Sequence, residues 1–338
     1  FFVAIAKGCM KFVKGKRTNL WKFMDARKYI SSMNLIVDVS GFALGDKWSR
    51  RTNENFLNTI RLAKRHDIPV FIMPQSFGPF EFPSGMEDIK DEIADLLRYP
   101  VTVFAREKEG YTFLTRDFGL KNVKLSKDLV LQNAGVNLNH IYVNPPALCL
   151  PEIHTEHNVG IVPNAQCFRH GNVTEVLDIY HAIIEELLAQ KKEVYVFRHS
   201  GEDLAFCKKI AEMFEEEAHV HLLENDFSCL EYDAFVKNFE FIICSRFHGI
   251  VHAYKNYIPA IALGWAVKYR ELTENVGQSS YIFDITSDTC DKAAIIEAVR
   301  RMADNAGNEK EVIKSHVLKI QAENCFECIS EWVKSNNE

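Results

Sequence analysis

The sequence has no uninterrupted apolar run close to the ~20 residues that a membrane-spanning helix needs. It also has no excess of positive charge, since 40 Lys and Arg residues against 46 Asp and Glu residues give a formal net charge of -6. This balance argues against a general nucleic-acid binder, which needs a basic field to attract phosphate backbones. It remains compatible with an anionic small ligand, because nearby arginines outweigh a distant, mildly negative field.

The nine cysteines form neither a disulfide framework nor a zinc-binding pattern. Their odd number and scattered positions are typical of free thiols in a reducing compartment, so we expect a cytoplasmic protein. Cys325 and Cys328 form a CxxC pair, but a zinc centre needs a second ligand pair at suitable spacing, and none follows. We interpret the pair as two thiols on one face of the last helix.

Motifs for metals, nucleotides and a nucleophilic serine are also missing. There is no HExxH pattern, no Asp-rich metal loop, no GxGxxG or P-loop spacing and no GxSxG elbow. We therefore expect transfer chemistry without a metal and without a bound cofactor.

What the sequence does contain is a regular alternation of strand-like and helix-like segments. This alternation is typical of α/β folds with parallel sheets. Asn, Pro and His residues interrupt it near the middle of the chain, and it then starts again. We predict two Rossmann-like, doubly wound domains that face each other across a cleft. The expected bounds are an N-terminal domain at 1–135, a linker at 136–157, a C-terminal domain at 158–315 and a C-terminal helix at 316–338 that packs back on the N-terminal domain.

The most informative stretch is Ser245, Arg246, Phe247 and His248, where the apolar strand 241–244 ends and a helix is predicted to begin. Strand-to-helix junctions at the carboxyl edge of a parallel sheet hold ligands in open α/β folds. The first turn of the helix offers backbone N–H groups to an anion. An arginine fork and an imidazole at such a junction indicate phosphate or carboxylate chemistry with a proton donor nearby.

Other polar groups also follow predicted strands in both halves. In the first half, a Gly-containing loop at 40–46 and a rigid turn at 74–80 follow strands, and the turn is expected to display Gln75 and Ser76. Each position also has a structural explanation, such as a surface pairing of Arg106 with Glu107 or Glu109. The remaining candidates that follow strands are Arg106, His199, Trp265, Lys268 and Tyr269.

Several of these segments, in this order and spacing, resemble the polysaccharide pyruvyl transferase family. The stretch around Arg246 and His248 is the most specific part of the resemblance. Gly110 departs from the family pattern, which more usually has a serine there. The segments that carry the resemblance are 74–80, 105–107, 127–129, 245–248 and 264–269, with Ala253 and Pro259.

The resemblance implies a GT-B-like fold and the transfer of pyruvate from phosphoenolpyruvate to two hydroxyls of a sugar. The product would be a cyclic ketal, with release of phosphate. Family members usually open with a strand and a Gly-Asp loop, and neither is visible before Phe1. We therefore expect the first strand of the N-terminal domain to be missing from this sequence.

The resemblance also implies roles for the candidate residues. Arg246 and Arg106 would hold the phosphate and the carboxylate of the donor, in an order that stays open. His248 would be the general acid or base. Ser245, Phe247 and Lys268 would complete the donor site. The acceptor side or the cleft would be lined by Gln75, Ser76, His199, Trp265 and Tyr269.

The expected acceptor is a sugar or a lipid-linked oligosaccharide of a cell-surface polysaccharide. Basic residues between positions 7 and 17 would permit peripheral contact with the inner face of the membrane. Two alternatives stay open: a nucleotide-sugar glycosyltransferase on the same GT-B architecture, and a non-catalytic carbohydrate-binding protein with a decayed site.

Overall fold

The computed structural model describes residues 32–153, 157–264 and 267–336. The chain forms two compact units. Unit 1 comprises Phe1–Leu129 together with Asn324–Glu338, and unit 2 comprises Val130–Glu323.

Unit 1 contains a parallel sheet whose central strand, β3, is buried along its whole length. The strand order is β1-β3-β4-β5. On one edge of β3, β1 pairs with its amino-terminal part and β2 pairs with its carboxyl-terminal part. The strands are β1 Ile36–Asp38, β2 Phe42–Leu44, β3 Val70–Phe77, β4 Thr102–Ala105 and β5 Val123–Leu125. Strands covered on both faces need such near-continuous apolar sequences.

Helices of unit 1 bury apolar stripes against this sheet. The first begins after Ser49, whose hydroxyl accepts a hydrogen bond from the backbone N–H of Thr52 and caps the helix. Its buried residues Phe56, Ile60 and Ala63 recur at helical spacing. The helices are α1 Arg50–Arg65, α2 Glu87–Leu96, α3 Lys108–Thr112 and, at the unit boundary, α4 Leu129–Gln132. A π-helical turn, Phe113–Asp117, extends α3.

Two sequence-based expectations in unit 1 were wrong. Pro74 does not end its strand, because β3 continues through it to Phe77. The pairing of β3 with β4 shifts register between Ile72 and Gln75, and such an irregularity accommodates a residue that has no N–H to donate. The segment 40–46 is not wholly a loop, since it contains β2.

Unit 2 contains a second, wider parallel sheet with the order β11-β10-β9-β6-β7-β8. Its strands are β6 Asn158–Val162, β7 Glu193–Phe197, β8 Val220–Leu223, β9 Phe241–Cys244, β10 Ala260–Leu263 and β11 Ile282–Phe283. Counted within the unit and from the β8 edge, this is the Rossmann order 3-2-1-4-5-6. The strand order reverses between β6 and β9, so the ligand crevice of this fold type lies beyond the carboxyl ends of those two strands.

Both faces of this sheet are covered by helices. Along β9, Phe241 and Ile243 belong to one apolar cluster, and Ile242 and Cys244 belong to the other, as the alternation of side chains in a strand requires. The helices are α5 Ala165–His170, α6 Val173–Ala189, α7 Leu204–Glu212, α8 Cys229–Phe235, α9 Phe247–Lys255, α10 Val267–Asn275 and α11 Lys292–Gln321.

The last helix, α12 Glu327–Asn336, belongs to unit 1. Its Trp332 ring contacts the Phe71 ring of β3 edge-on, with centroids 5.9 Å apart, and Cys325 joins the same apolar cluster. The sequence predicted a separate C-terminal helix at 316–338, whereas in the structure α11 continues to Gln321 and α12 begins at Glu327. Among the described residues, no helix combines the length and apolar character needed to cross a membrane.

Candidate active site

The candidate site lies at the switch point of the unit 2 sheet, where β6 and β9 are paired neighbours. Asn164 follows β6, and its side-chain amide donates a hydrogen bond of 2.9 Å to the Ser245 carbonyl, which follows β9. The Tyr269 hydroxyl donates to the same carbonyl at 2.9 Å, and the Ser245 hydroxyl bonds to that of Tyr180 at 2.8 Å. Ser245 and Tyr269 are both buried, so they brace the turn that carries Arg246.

The Arg246 guanidinium is held from one side by two carboxylates. Its Nε donates to Asp203 Oδ2 at 2.8 Å, and its Nη2 donates to Asp203 Oδ1 and, at 2.7 Å, to Glu202 Oε1. The Nη1 group has no hydrogen-bond partner among the described residues, and the side chain keeps 18 % of its surface exposed. Two N–H donors of a fixed guanidinium are therefore available to an anion.

This arrangement keeps Arg246 charged. Burial by itself would lower the pKa of the guanidinium, but the hydrogen bonds to Asp203 and Glu202 outweigh it, so the pKa is raised overall. The hydrogen bond from Arg246 in turn lowers the pKa of Glu202, which also pairs with Arg169 at 2.9 Å.

The helix α9 begins directly after Arg246. Phe247 turns inward and packs edge-on against Tyr269, with ring centroids 5.7 Å apart, whereas His248 is exposed. Gly249 permits the helix to approach β9 closely, because a Cβ atom there would lie 2.7 Å from the Cys244 sulfur. The junction thus places a guanidinium, an imidazole and a helix start in consecutive positions of the chain.

His199 follows β7 and lies half-buried at the same edge of the sheet. Burial, followed by the positive charges of His248, His252 and Arg246, lowers the pKa of His199 to about 3. Its ring meets that of Tyr232 edge-on, with centroids 4.8 Å apart. His199 is therefore neutral near pH 7, and it does not serve there as a general acid.

His252, one helical turn after His248, is a further imidazole near this edge. Its Nδ1 lies 2.8 Å from Asp233 Oδ1, which also accepts from Lys255 at 3.0 Å. The Tyr232 ring contacts the rings of both His199 and His252 edge-on, and its centroid lies 5.6 Å from that of His252.

The candidate residues of unit 1 are interior rather than displayed, which corrects the expectation for Gln75 and Ser76. Gln75 is fully buried and Ser76 nearly so. Arg106 is only 6 % exposed. It donates to Ser76 Oγ from Nε and Nη2, to Glu107 Oε1 at 2.8 Å and to Asp128 Oδ2 at 2.8 Å. Its pairing with Glu107, anticipated as a surface contact, lies inside the unit.

The side chains of two candidates lie outside the described part of the structure. Trp265 lies outside the described residues. Lys268 belongs to α10, but its side chain is not among those described. The helix α10 begins within the segment 264–269, at Val267.

Sequence reasoning missed Asp203, Glu202 and Asn164 as partners in the site. No local signal could have revealed the pair of Asp203 with Arg246, because the two residues are 43 positions apart and meet only through the strand order.

In residues 32–153, 157–264 and 267–336, no group of three or more His, Cys, Asp or Glu residues is arranged to hold a metal ion.

The fold and the site define an α/β protein of two Rossmann-like units with an arginine- and histidine-bearing junction at a switch point. The profile of the family Polysaccharide pyruvyl transferase matches residues 8–266, so the chain belongs to that family. The family expected from the sequence motifs is thereby confirmed. No curated protein sequence gives a significant match.

Among solved structures, the fold is similar to that of UDP-GlcNAc 2-epimerase from Neisseria meningitidis bound to UDP-GlcNAc. The TM-score is 0.60 at 14 % identity, over 95 % of this chain and 84 % of that one. UDP-GlcNAc 2-epimerase from Methanocaldococcus jannaschii gives a TM-score of 0.54 at 16 % identity, over 89 % and 83 %. At such identities the likeness concerns the fold alone, and it confirms the GT-B-like α/β class.

Proposed function

We propose that the protein transfers pyruvate from phosphoenolpyruvate onto two hydroxyls of a sugar, giving a cyclic ketal and phosphate. Family membership supports the class of reaction. The observation that carries the proposal is Arg246, which two carboxylates orient at the switch point and whose Nη1 has no partner among the described residues. A donor with a phosphate and a carboxylate suits such a fork beside a helix start.

The chemistry requires two additions at the same carbon of the donor. In the first, a sugar hydroxyl adds its oxygen to C2 of phosphoenolpyruvate while C3 gains a proton and becomes a methyl group. In the second, the other hydroxyl attacks C2, the C2–O bond to phosphate breaks, and the proton of that hydroxyl leaves with the phosphate. Atoms and charge balance without an oxidant or reductant.

His248 is the residue that we assign to proton transfer. It is exposed, it follows Arg246 by two positions, and histidine is the side chain most often used for general acid–base catalysis. His199 does not compete for the role of acid, because its pKa is about 3. Arg246 would stabilise the negative charge that accumulates on the departing phosphate.

The decisive experiment is phosphate release from phosphoenolpyruvate with a panel of sugar and lipid-linked acceptors, with ketal formation followed by mass spectrometry. We expect phosphate release that depends on an acceptor. The same panel with UDP-sugars in place of phosphoenolpyruvate tests the glycosyltransferase alternative. Turnover of a UDP-sugar without use of phosphoenolpyruvate would overturn the proposal, and sugar binding without turnover of either donor would favour a binding protein.

Replacing Arg246 with lysine tests the anion-holding role. Lysine keeps the charge but lacks the planar fork, so it cannot pair with Asp203 through two bonds and also present two donors to a ligand. We expect KM for phosphoenolpyruvate to rise by about tenfold or more, equivalent to ~1.4 kcal/mol of lost binding. Initial rates across donor concentrations give this value, and an unchanged KM would remove Arg246 from donor binding.

For the acceptor, we propose a sugar or lipid-linked oligosaccharide used in polysaccharide biosynthesis. Contact with a membrane surface through the basic residues between positions 7 and 17 remains part of this proposal, and those residues lie outside the described part of the chain. Co-sedimentation with anionic vesicles tests this contact.

A further inference from the structure

Asp203 is a carboxylate with no exposed surface at the carboxyl edge of the unit 2 sheet. Its Oδ1 accepts the backbone N–H of Ala165 at 2.9 Å, and its Oδ2 accepts that of Ser200 at 3.0 Å. The same two oxygens accept the Nη2 and Nε groups of Arg246. Ala165, Ser200 and Arg246 come shortly after β6, β7 and β9, so one buried carboxylate joins three neighbouring strand ends.

This geometry fixes the plane of the guanidinium. Two parallel hydrogen bonds along the Nε–Nη2 edge allow only one orientation of the group, and Glu202 takes a further bond from Nη2. The Nε and Nη2 donors are thereby occupied. The Nη1 group, on the other side of the guanidinium, is the part that can reach a ligand.

A purely structural explanation covers only part of these contacts. Asp203 forms a capping box with Ser200 and accepts the first N–H of α5, and these tasks need only a hydrogen-bond acceptor. The pair with Arg246 needs more, because both carboxylate oxygens must accept from the same guanidinium. An asparagine would place an NH₂ group against an N–H donor and break the two-bond pair.

We propose that Asp203 is a positioning residue of the transfer reaction: without touching the substrate, it holds Arg246 so that Nη1 faces the anion of the donor. This inference rests on the proposed function, since it takes Arg246 as the donor-binding group. It predicts that the effect of Asp203 on donor binding passes entirely through Arg246.

The test is the dissociation constant of phosphoenolpyruvate and of inorganic phosphate, measured by calorimetry for the wild type, Asp203→Asn, Arg246→Ala and the double variant. We expect Asp203→Asn to weaken both ligands by about 10- to 100-fold, because a small misplacement of a binding group is costly. In the Arg246→Ala background the same change should have no further effect.

Glu240→Gln is the matched control. Glu240 pairs with the buried Lys192 at 2.6 Å, in the same unit but at the amino ends of β9 and β7. It should lower stability while leaving both dissociation constants unchanged. Equal weakening by this control would reveal a general loss of fold instead of positioning, and would overturn the proposal.

Further outcomes separate this inference from the proposed function. An unchanged affinity in Asp203→Asn, equal losses in both backgrounds, or a wild type that binds neither probe would overturn the positioning role. Binding that depends on Asp203, without ketal formation, would overturn the proposed function and leave the positioning role standing. If Asp203→Asn does not fold, the Nε–H resonance of Arg246 in the wild type serves instead. It should exchange slowly and shift on addition of phosphoenolpyruvate, and a rapidly exchanging signal would contradict the proposal.

Discussion

Replacement of His248 by alanine is expected to lower acceptor-dependent phosphate release from phosphoenolpyruvate by about 10²–10⁴-fold, the usual contribution of general acid–base assistance. The imidazole is exposed at the second position of α9, so its removal should leave the packing of Phe247 and Gly249 unchanged. The measurement is kcat from phosphate release at saturating donor and acceptor.

The matched control is His66→Ala, because His66 is also an exposed histidine but lies after α1 in unit 1. That variant should keep full activity, and both variants should keep the melting temperature of the wild type. Near-normal turnover of His248→Ala would remove the residue from the mechanism. A loss of activity accompanied by a large drop in melting temperature would indicate damage to the fold.

Replacement of Arg106 by alanine is expected to lower the free energy of unfolding by about 3–5 kcal/mol, the cost of removing one member of a buried ion pair. Arg106 lies between Glu107 and Asp128, and all three residues are buried. Removing the guanidinium would take away the positive charge that pairs with both carboxylates inside unit 1. Denaturant unfolding followed by circular dichroism measures the change.

Arg61→Ala provides the comparison within unit 1. Its pair with Glu92 is partly exposed, so solvent screens the charges and the loss should be much smaller. A fully stable Arg106→Ala variant that no longer binds phosphoenolpyruvate would restore the role suggested by the family resemblance, in which Arg106 holds the donor. A destabilised variant supports the structural role seen here.

The contrast between Arg106 and Arg246 shows how far sequence reasoning about the site could go. Both arginines follow a buried strand, and both match segments typical of the family. In the structure, Arg106 lies inside its unit, bonded to Ser76, Glu107 and Asp128, whereas the partners that Arg246 has among the described residues bind only its Nε and Nη2 groups. The difference depends on Asp128 and Asp203, which are 22 and 43 positions away in sequence. No pattern within a strand and its following turn contains that information.

The turn expected at Pro74 illustrates the same limit for the fold. A proline normally ends a strand because it has no backbone N–H to donate to the hydrogen bonds between neighbouring strands. Here β3 tolerates it at a register shift, since strands on both sides still pair with the residues around it. Gln75 and Ser76 are therefore strand residues in the interior instead of displayed turn residues.

The sequence by itself determined the α/β class, the strand that leads to Arg246 and the helix that starts at Phe247. These features depend on apolar periodicity and on the residues that begin and end each element, and both are local properties of the chain. It also determined the family, through motifs that lie within short segments. Only the tertiary structure decided the strand order of the unit 2 sheet, and with it the meeting of Asp203 and Arg246 at the switch point. That order arises from the packing of both faces of the sheet, which depends on residues from the whole unit at once.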